Sequence, residues 1–187
     1  MADGSGSFAR AGTRSAHTVE GRAWVFPEPN VNTDLMMPVA TFRMPRAEQA
    51  KHVFATYRPG WADEVGAGDI IVGGRNFGTG SSRPAPSLMG DLGIRAVIAE
   101  SLNGLFFRNC INTGIPATEC SGILDVIAEL DVVRYELRSG RITNASTGAT
   151  IAGTGLPDEL VEIIDDGGLL GRLERGGYLQ VTRRPLT

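Results

Sequence analysis

Between Gly68 and Cys120 the chain alternates short apolar runs with helical patterns, and this alternation restricts the possible folds more than any other feature. "GDIIVGG" (68–74) is a short apolar run, Ile70 to Val72, ending in glycines. A glycine-rich loop follows, and "PAPSLMGDLG" (84–93) then reads as a helix with proline in its first turn and Gly93 as its stop. "RAVIAES" (95–101) is a second buried run, "NGLFFRNCINTG" (103–114) a helix closed by Gly114, and "IPATEC" (115–120) a third short strand. Strand, loop, helix, strand, helix, strand is the signature of an α/β fold with parallel pairing.

Outside this block the patterns are shorter. "GRAWVF" (21–26) reads as a strand, "DLMMP" (34–38) as a short strand, and "RAEQAKHVFATY" (46–57) as a helix. Residues 131–151 read as a meander with Ser-Gly and Thr-Gly turns, and "PDELVEIIDDGG" (157–168) as a helix, with "LLGRLE" (169–174) adding one last turn. Residues 1–20 are rich in Gly, Ser, Ala and Arg. They read as a disordered tail or added leader, with an organelle-targeting peptide as the alternative; residues 21–187 form the folded domain.

The bulk properties exclude several classes. A net charge of −3 over 187 residues argues against nucleic acid as the main partner. No apolar run approaches membrane-spanning length, so no membrane partner is expected, and a cytoplasmic location is the default. Cys110 and Cys120, with His17 and His52 at unrelated spacings, do not make a metal cage, so no metal is assigned to this chain.

The loop "GGRNFGTGSSRPAPS" (73–87) carries the chemistry. It follows a strand in an α/β pattern, where ligands bind. Gly78, Thr79 and Gly80 let backbone N–H groups approach a ligand, and Ser81, Ser82 and Arg83 place two hydroxyls beside a planar guanidinium. Physically this is a site for a small anion. Neither the Walker lysine nor G-x-G-x-x-G is present, and the nucleophile elbow does not fit. A serine stabilised by cationic and N–H groups can instead act as a base toward carbon next to a carboxylate. A plain Gly/Ser connection with Arg83 at the surface fits the spacing equally well.

"GGRNFGTGSSR" resembles the glycine–serine signature of the swivelling domain of the aconitase superfamily. "NTDLMMP" (32–38), "RAVIAESLNGLFFRNCINTGIP" (95–116) and "IIDDGGLLGRL" (163–173) resemble three further segments of that domain in order and spacing. The nearest group is the free-standing small subunit of 3-isopropylmalate dehydratase. The resemblance implies a single swivelling β/β/α domain: a mostly parallel central sheet flanked by helices, plus short antiparallel strands. It also implies a hydro-lyase subunit, active only with a large subunit that carries a 4Fe-4S cluster, with a 2-hydroxy di- or tricarboxylic acid as substrate. 3-Isopropylmalate, in leucine biosynthesis, is the first choice, and a homo-oligomer is compatible with the isolated chain. By position, Ser81 is the expected base, and Ser82 and Arg83 the carboxylate ligands. Thr33 and Asp34 lie at the edge of the site, and Arg108 and Asn109 support the loop or simply pack their helix.

Two departures bear on substrate. The family pattern continues S-S-R with an acid and then His or Gln, where this chain has Pro84-Ala85-Pro86. In "PVATFRMPRAEQ" (38–49), Phe42 and Met44 suit an apolar group, whereas Arg43 suits a distal carboxylate, solvent or the large subunit. Homoaconitate, dimethylmalate and citraconate therefore stand as alternative substrates, and a non-catalytic anion-binding module as an alternative function.

Overall fold

A seven-stranded mixed sheet organises the chain, with strands in the order β4-β3-β2-β1-β5-β6-β7. The structure, a computed structural model, describes residues 17–80 and 83–179. The strands are β1 (Thr18–Phe26), β2 (Ile70–Gly73), β3 (Ala96–Ala99), β4 (Ala117–Glu119), β5 (Val132–Glu136), β6 (Arg141–Asn144) and β7 (Thr150–Ala152). β1 to β4 pair in parallel and β5 to β7 add an antiparallel half. The expected α/β class and mixture of pairings are therefore present, with the antiparallel part as wide as a three-strand meander.

β1 joins the two halves. Its first five residues run antiparallel to β5, with Val19 opposite Tyr135, and its last four run parallel to β2. This pairing starts β1 at Thr18 rather than at Gly21, because Thr18 to Glu20 find partners on β5. The remaining residues of the expected tail, 1–16, lie outside the described part.

Both faces of the sheet are covered at β2 and β3, so these strands are apolar runs without alternation. Ile71 and Val97 face a cluster that includes Trp24, Phe26, Phe54, Trp61, Leu88 and Met89. Ile70, Val72, Ala96 and Ile98 face the other side, toward Val133, Tyr135, Ile142 and Val161. The helices are α1 (Thr33–Met36), α2 (Arg46–Lys51), α3 (Trp61–Glu64), α4 (Ala85–Asp91), α5 (Gly104–Asn112), α6 (Ile123–Val126), α7 (Asp158–Asp165) and α8 (Leu169–Arg175).

Two local expectations are corrected. "DLMMP" is not a strand: Asn32 caps a helical turn, its side chain accepting from the N–H groups of Asp34 and Leu35, both at 3.0 Å. The helix expected over 46–57 stops at Lys51. Phe54 then adopts a left-handed φ of 58° and stacks on Phe26 with ring centroids 4.2 Å apart. Burial of two aromatic rings, at about 1.5–3 kcal/mol per large side chain, outweighs a local helix propensity of a few tenths per residue.

A buried carboxylate ties β1 to β2. Asp69 accepts from Trp24 Nε1 (2.8 Å), the Gly66 N–H (2.8 Å) and two guanidinium nitrogens of Arg22 (3.1 and 2.9 Å). Burial alone would push its carboxyl up. The hydrogen bonds from Arg22, Gly66 and Trp24 outweigh that and hold it below the ordinary value of 3.8. Its contribution to stability is therefore complete above the ordinary carboxylate pKa and is lost as pH falls through the lowered native value. Asp69→Asn should cost roughly 1.5–3 kcal/mol at pH 7, since a donor then faces buried donors. In thermal melts, the gap between wild type and variant should narrow below about pH 4. A gap independent of pH would contradict this reading.

Candidate functional site

The carboxyl ends of the four parallel strands fall in one row. Phe26 is in register with Gly73, Gly73 with Ala99, and Ala99 with Glu119. The loops after β1, β2 and β3 therefore emerge side by side, and they carry three of the four motifs singled out in the sequence.

The glycine loop is clamped between its two neighbours. On the β1 side, Asn30 N–H donates to Arg75 O, Gly78 N–H to Val31 O and Thr33 N–H to Thr79 O, each at 2.8 Å, and Asn76 Nδ2 donates to Asn30 Oδ1 at 2.7 Å. On the β3 side, Phe77 N–H donates to Ser101 O and Asn103 N–H to Phe77 O, both at 2.9 Å, while Asn76 N–H donates to Ser101 Oγ at 2.8 Å. Phe77 is fully buried and meets Phe106 edge to face at 5.7 Å. The loop's composition suggests flexibility, but these bonds fix its path through Thr79.

Gly78 is the position that most needs to be glycine. Its φ is +81°, and a Cβ there would lie 2.1 Å from Phe106 Cγ. Gly80 also has a positive φ, +97°, and its backbone passes close to Thr33, where a Cβ would sit 3.4 Å from the hydroxyl. Thr33, Thr79 and Gly80 are thus brought to one point. Ser81 and Ser82 lie outside the described residues.

Arg83 follows at once. Its side chain is 9% exposed and is held on three sides. Nη1 donates to the carbonyl of Met37 at 2.8 Å, Nε lies 2.6 Å from Asp34 Oδ1, and the guanidinium carbon sits 4.9 Å from the centroid of the Phe42 ring. The Nε contact is an ion pair without an aligned hydrogen bond. Among the described residues nothing accepts from Nη2. The Asn32 cap explains the position of Asp34: it fixes the turn whose first residues are Thr33 and Asp34.

Thr33, Asp34, Gly78, Thr79, Gly80 and Arg83 are therefore gathered as the sequence motifs suggest. Arg43 is not gathered into this cluster; it is exposed at the end of a 3-10 turn (Val39–Arg43) and pairs with no described acid. Arg108 is exposed and makes no described contact with the loop, and Asn109 is bonded through its carbonyl to Thr113 at the end of α5. Ser101, Asn103 and Phe106 support the loop in their place. Their signal was their place in the 95–116 segment, just after β3 and in the first turn of α5. Pro84 and Pro86 are accommodated at the start of α4, where proline removes no helical hydrogen bond.

Cys110 and Cys120 belong to core clusters on opposite faces of the sheet. Burial pushes both thiols up, Cys120 to about 11 and Cys110 further. Two protonated thiols on opposite sides of a sheet do not fit an iron–sulfur cluster. Among the described residues no group of three His, Cys, Asp or Glu could hold a metal, and no helix is long and apolar enough to cross a membrane.

Fold and site together define an aconitase-type swivelling domain, and comparison with known proteins agrees. The aconitase C-terminal domain family matches residues 43–120. The isopropylmalate/citramalate isomerase small subunit of Methanocaldococcus jannaschii is 41% identical over 84% of this chain and 94% of its own length. The 3-isopropylmalate dehydratase small subunit of Methanosarcina acetivorans is 43% identical over 81% of this chain and 94% of its own. The methanogen homoaconitase small subunit of Methanothermobacter thermautotrophicus is 41% identical over 81% and 88%. A crystal structure of 3-isopropylmalate dehydratase (LeuD) from M. jannaschii superposes with a TM-score of 0.78 at 32% identity, covering 86% of this chain and 96% of that one. The chain belongs to the family of 3-isopropylmalate dehydratase small subunits, which are aconitase-family hydro-lyase subunits.

Proposed function

We propose that this chain is the small subunit of an isopropylmalate dehydratase acting in leucine biosynthesis, completing its active site only when joined to a large subunit. The observation that carries this reading is Arg83. A buried guanidinium is preset beside Asp34, whose neighbour Thr33 meets the Thr79–Gly80 backbone, at the strand ends where this fold binds ligands. A guanidinium with an arm that no described residue engages suits a carboxylate.

Ser81 then takes the proton from the carbon next to that carboxylate, and Ser82 and Arg83 hold the carboxylate itself. Arg83 and loop N–H groups beyond Gly78, whose own N–H is bonded to Val31 O, lower the cost of a serine alkoxide in a closed, dry site. When bound in the large subunit, a 4Fe-4S cluster supplies Lewis acidity toward the substrate hydroxyl. The proton held on Ser81 returns to carbon in the reverse direction, when water adds at the neighbouring position. The cytoplasm is the compartment that suits such an enzyme.

The exposed Arg43 favours a second reading, in which a third carboxylate, as in homoaconitate, is the distal group. Mixing the chain with its cluster-loaded large subunit and measuring kcat/KM on isopropylmalate, citramalate, dimethylmalate and homoaconitate tests this. The highest value on isopropylmalate is expected. Preference for the tricarboxylate, abolished in Arg43→Ala, would replace this reading with the second.

A further inference from the structure

Phe42 is half exposed, yet it lies on a turn that is tied at several points. Thr41 donates to Pro38 O through both its N–H (3.0 Å) and its hydroxyl (2.8 Å), and Met44 N–H donates to Thr41 O at 2.9 Å. From α2, Gln49 Nε2 donates to the carbonyls of Met44 (3.0 Å) and Phe42 (3.5 Å). This bracing holds the Phe42 ring over the guanidinium of Arg83, at 4.9 Å. A guanidinium within about 6 Å of a ring centroid is attracted by the ring's negative face, by roughly 0.5–2 kcal/mol depending on desolvation.

Among the described residues, Phe42 is the aromatic ring that lies over Arg83. Met37 O and Asp34 hold its edge, and Asp34 is itself more than half exposed. The residues after Arg83 are Pro84-Ala85-Pro86, so no acidic or amide side chain follows it to do so. We infer that Phe42 is a positioning residue for Arg83: its ring fixes the plane of the guanidinium, and through it the turn that carries Arg43 sets the strength of the carboxylate clamp. The inference rests on the reading of Arg83 as that clamp.

Two readouts keep the inference and its foundation apart. The first is the rate at which phenylglyoxal modifies Arg83 in the full chain, followed by peptide mass spectrometry. The second is the split between KM and kcat in the enzyme assembled with its large subunit. Phe42→Leu should expose Arg83 to several-fold faster modification, and Phe42→Tyr should restore the wild-type rate. In the assembled enzyme Phe42→Leu should raise KM about three- to thirty-fold with kcat nearly unchanged, since the lost binding is common to ground and transition states. Phe42→Tyr should again recover it. Phe42→Leu matching wild type in either readout, or Phe42→Tyr no better than Phe42→Leu, would overturn the inference. If Arg83→Lys leaves KM unchanged, the clamp reading itself falls, while the modification rates still report whether the stack exists.

Discussion

Ser81→Ala is expected to lower kcat by at least about 10²–10³-fold in the assembled enzyme, with little change in KM. An ordinary alcohol does not ionise near neutral pH, so a serine base works only where its alkoxide is strongly stabilised. On the proposed reading Arg83 contributes, held with Nη1 on Met37 O and Nε beside Asp34. Among the described residues Nη2 has no acceptor, and the proposal assigns it to the loop. Ser82→Ala should behave differently, raising KM more than it lowers kcat, because a group that only holds the carboxylate acts in ground and transition states alike. Stopped assays on both variants with the same large subunit check this. A Ser81→Ala enzyme retaining a third or more of wild-type kcat would remove Ser81 from the chemistry.

Gly78→Ala is expected to be the most damaging single change to the described loop. An alanine would adopt φ near +81° with its Cβ 2.1 Å from Phe106 Cγ, an overlap with a ring that is buried and cannot swing away. The left-handed backbone costs roughly 1–2 kcal/mol and the overpacking about 1–3 kcal/mol more. At about 2–4 °C per kcal/mol for a domain of this size, Tm should fall by roughly 5–15 °C. Gly148→Ala is the matched control: its φ is +82°, but nothing lies within 4 Å of an added Cβ. It should lose only the backbone part. Calorimetry on the two variants separates strain from overlap, and equal losses would show that the contact with Phe106 is not what demands glycine.

The sequence made some levels of this structure legible and hid others. β2 and β3 were readable because each is buried on both faces and so forms an unbroken apolar run. The stops at Gly93 and Gly114 were readable because both adopt a positive φ. Residues 33–36 were not, because Leu35, Met36 and Met37 look like a strand until the Asn32 side chain caps the turn. Phe54 was hidden for a similar reason: its conformation is set by Phe26 and by its N–H bond to Met36 O, neither of which is local. At the site, motifs brought Thr33, Asp34, Gly78, Thr79, Gly80 and Arg83 together. The way Arg83 is held, by a carbonyl of Met37 and the ring of Phe42, could not be read from the chain. A carbonyl leaves no mark in a sequence, and an exposed phenylalanine reads as an apolar contact for substrate or partner.

The measurement closest to the central claim is a titration. A fixed amount of cluster-loaded large subunit is titrated with this chain, and formation of the unsaturated acid is followed by its absorbance. The account predicts no turnover from either protein alone, a rise that saturates as the two combine, and a flat line when Ser81→Ala replaces the wild-type chain. Turnover by the large subunit alone at the level of the mixture, or an inert mixture with the cluster intact on every candidate acid, would contradict it.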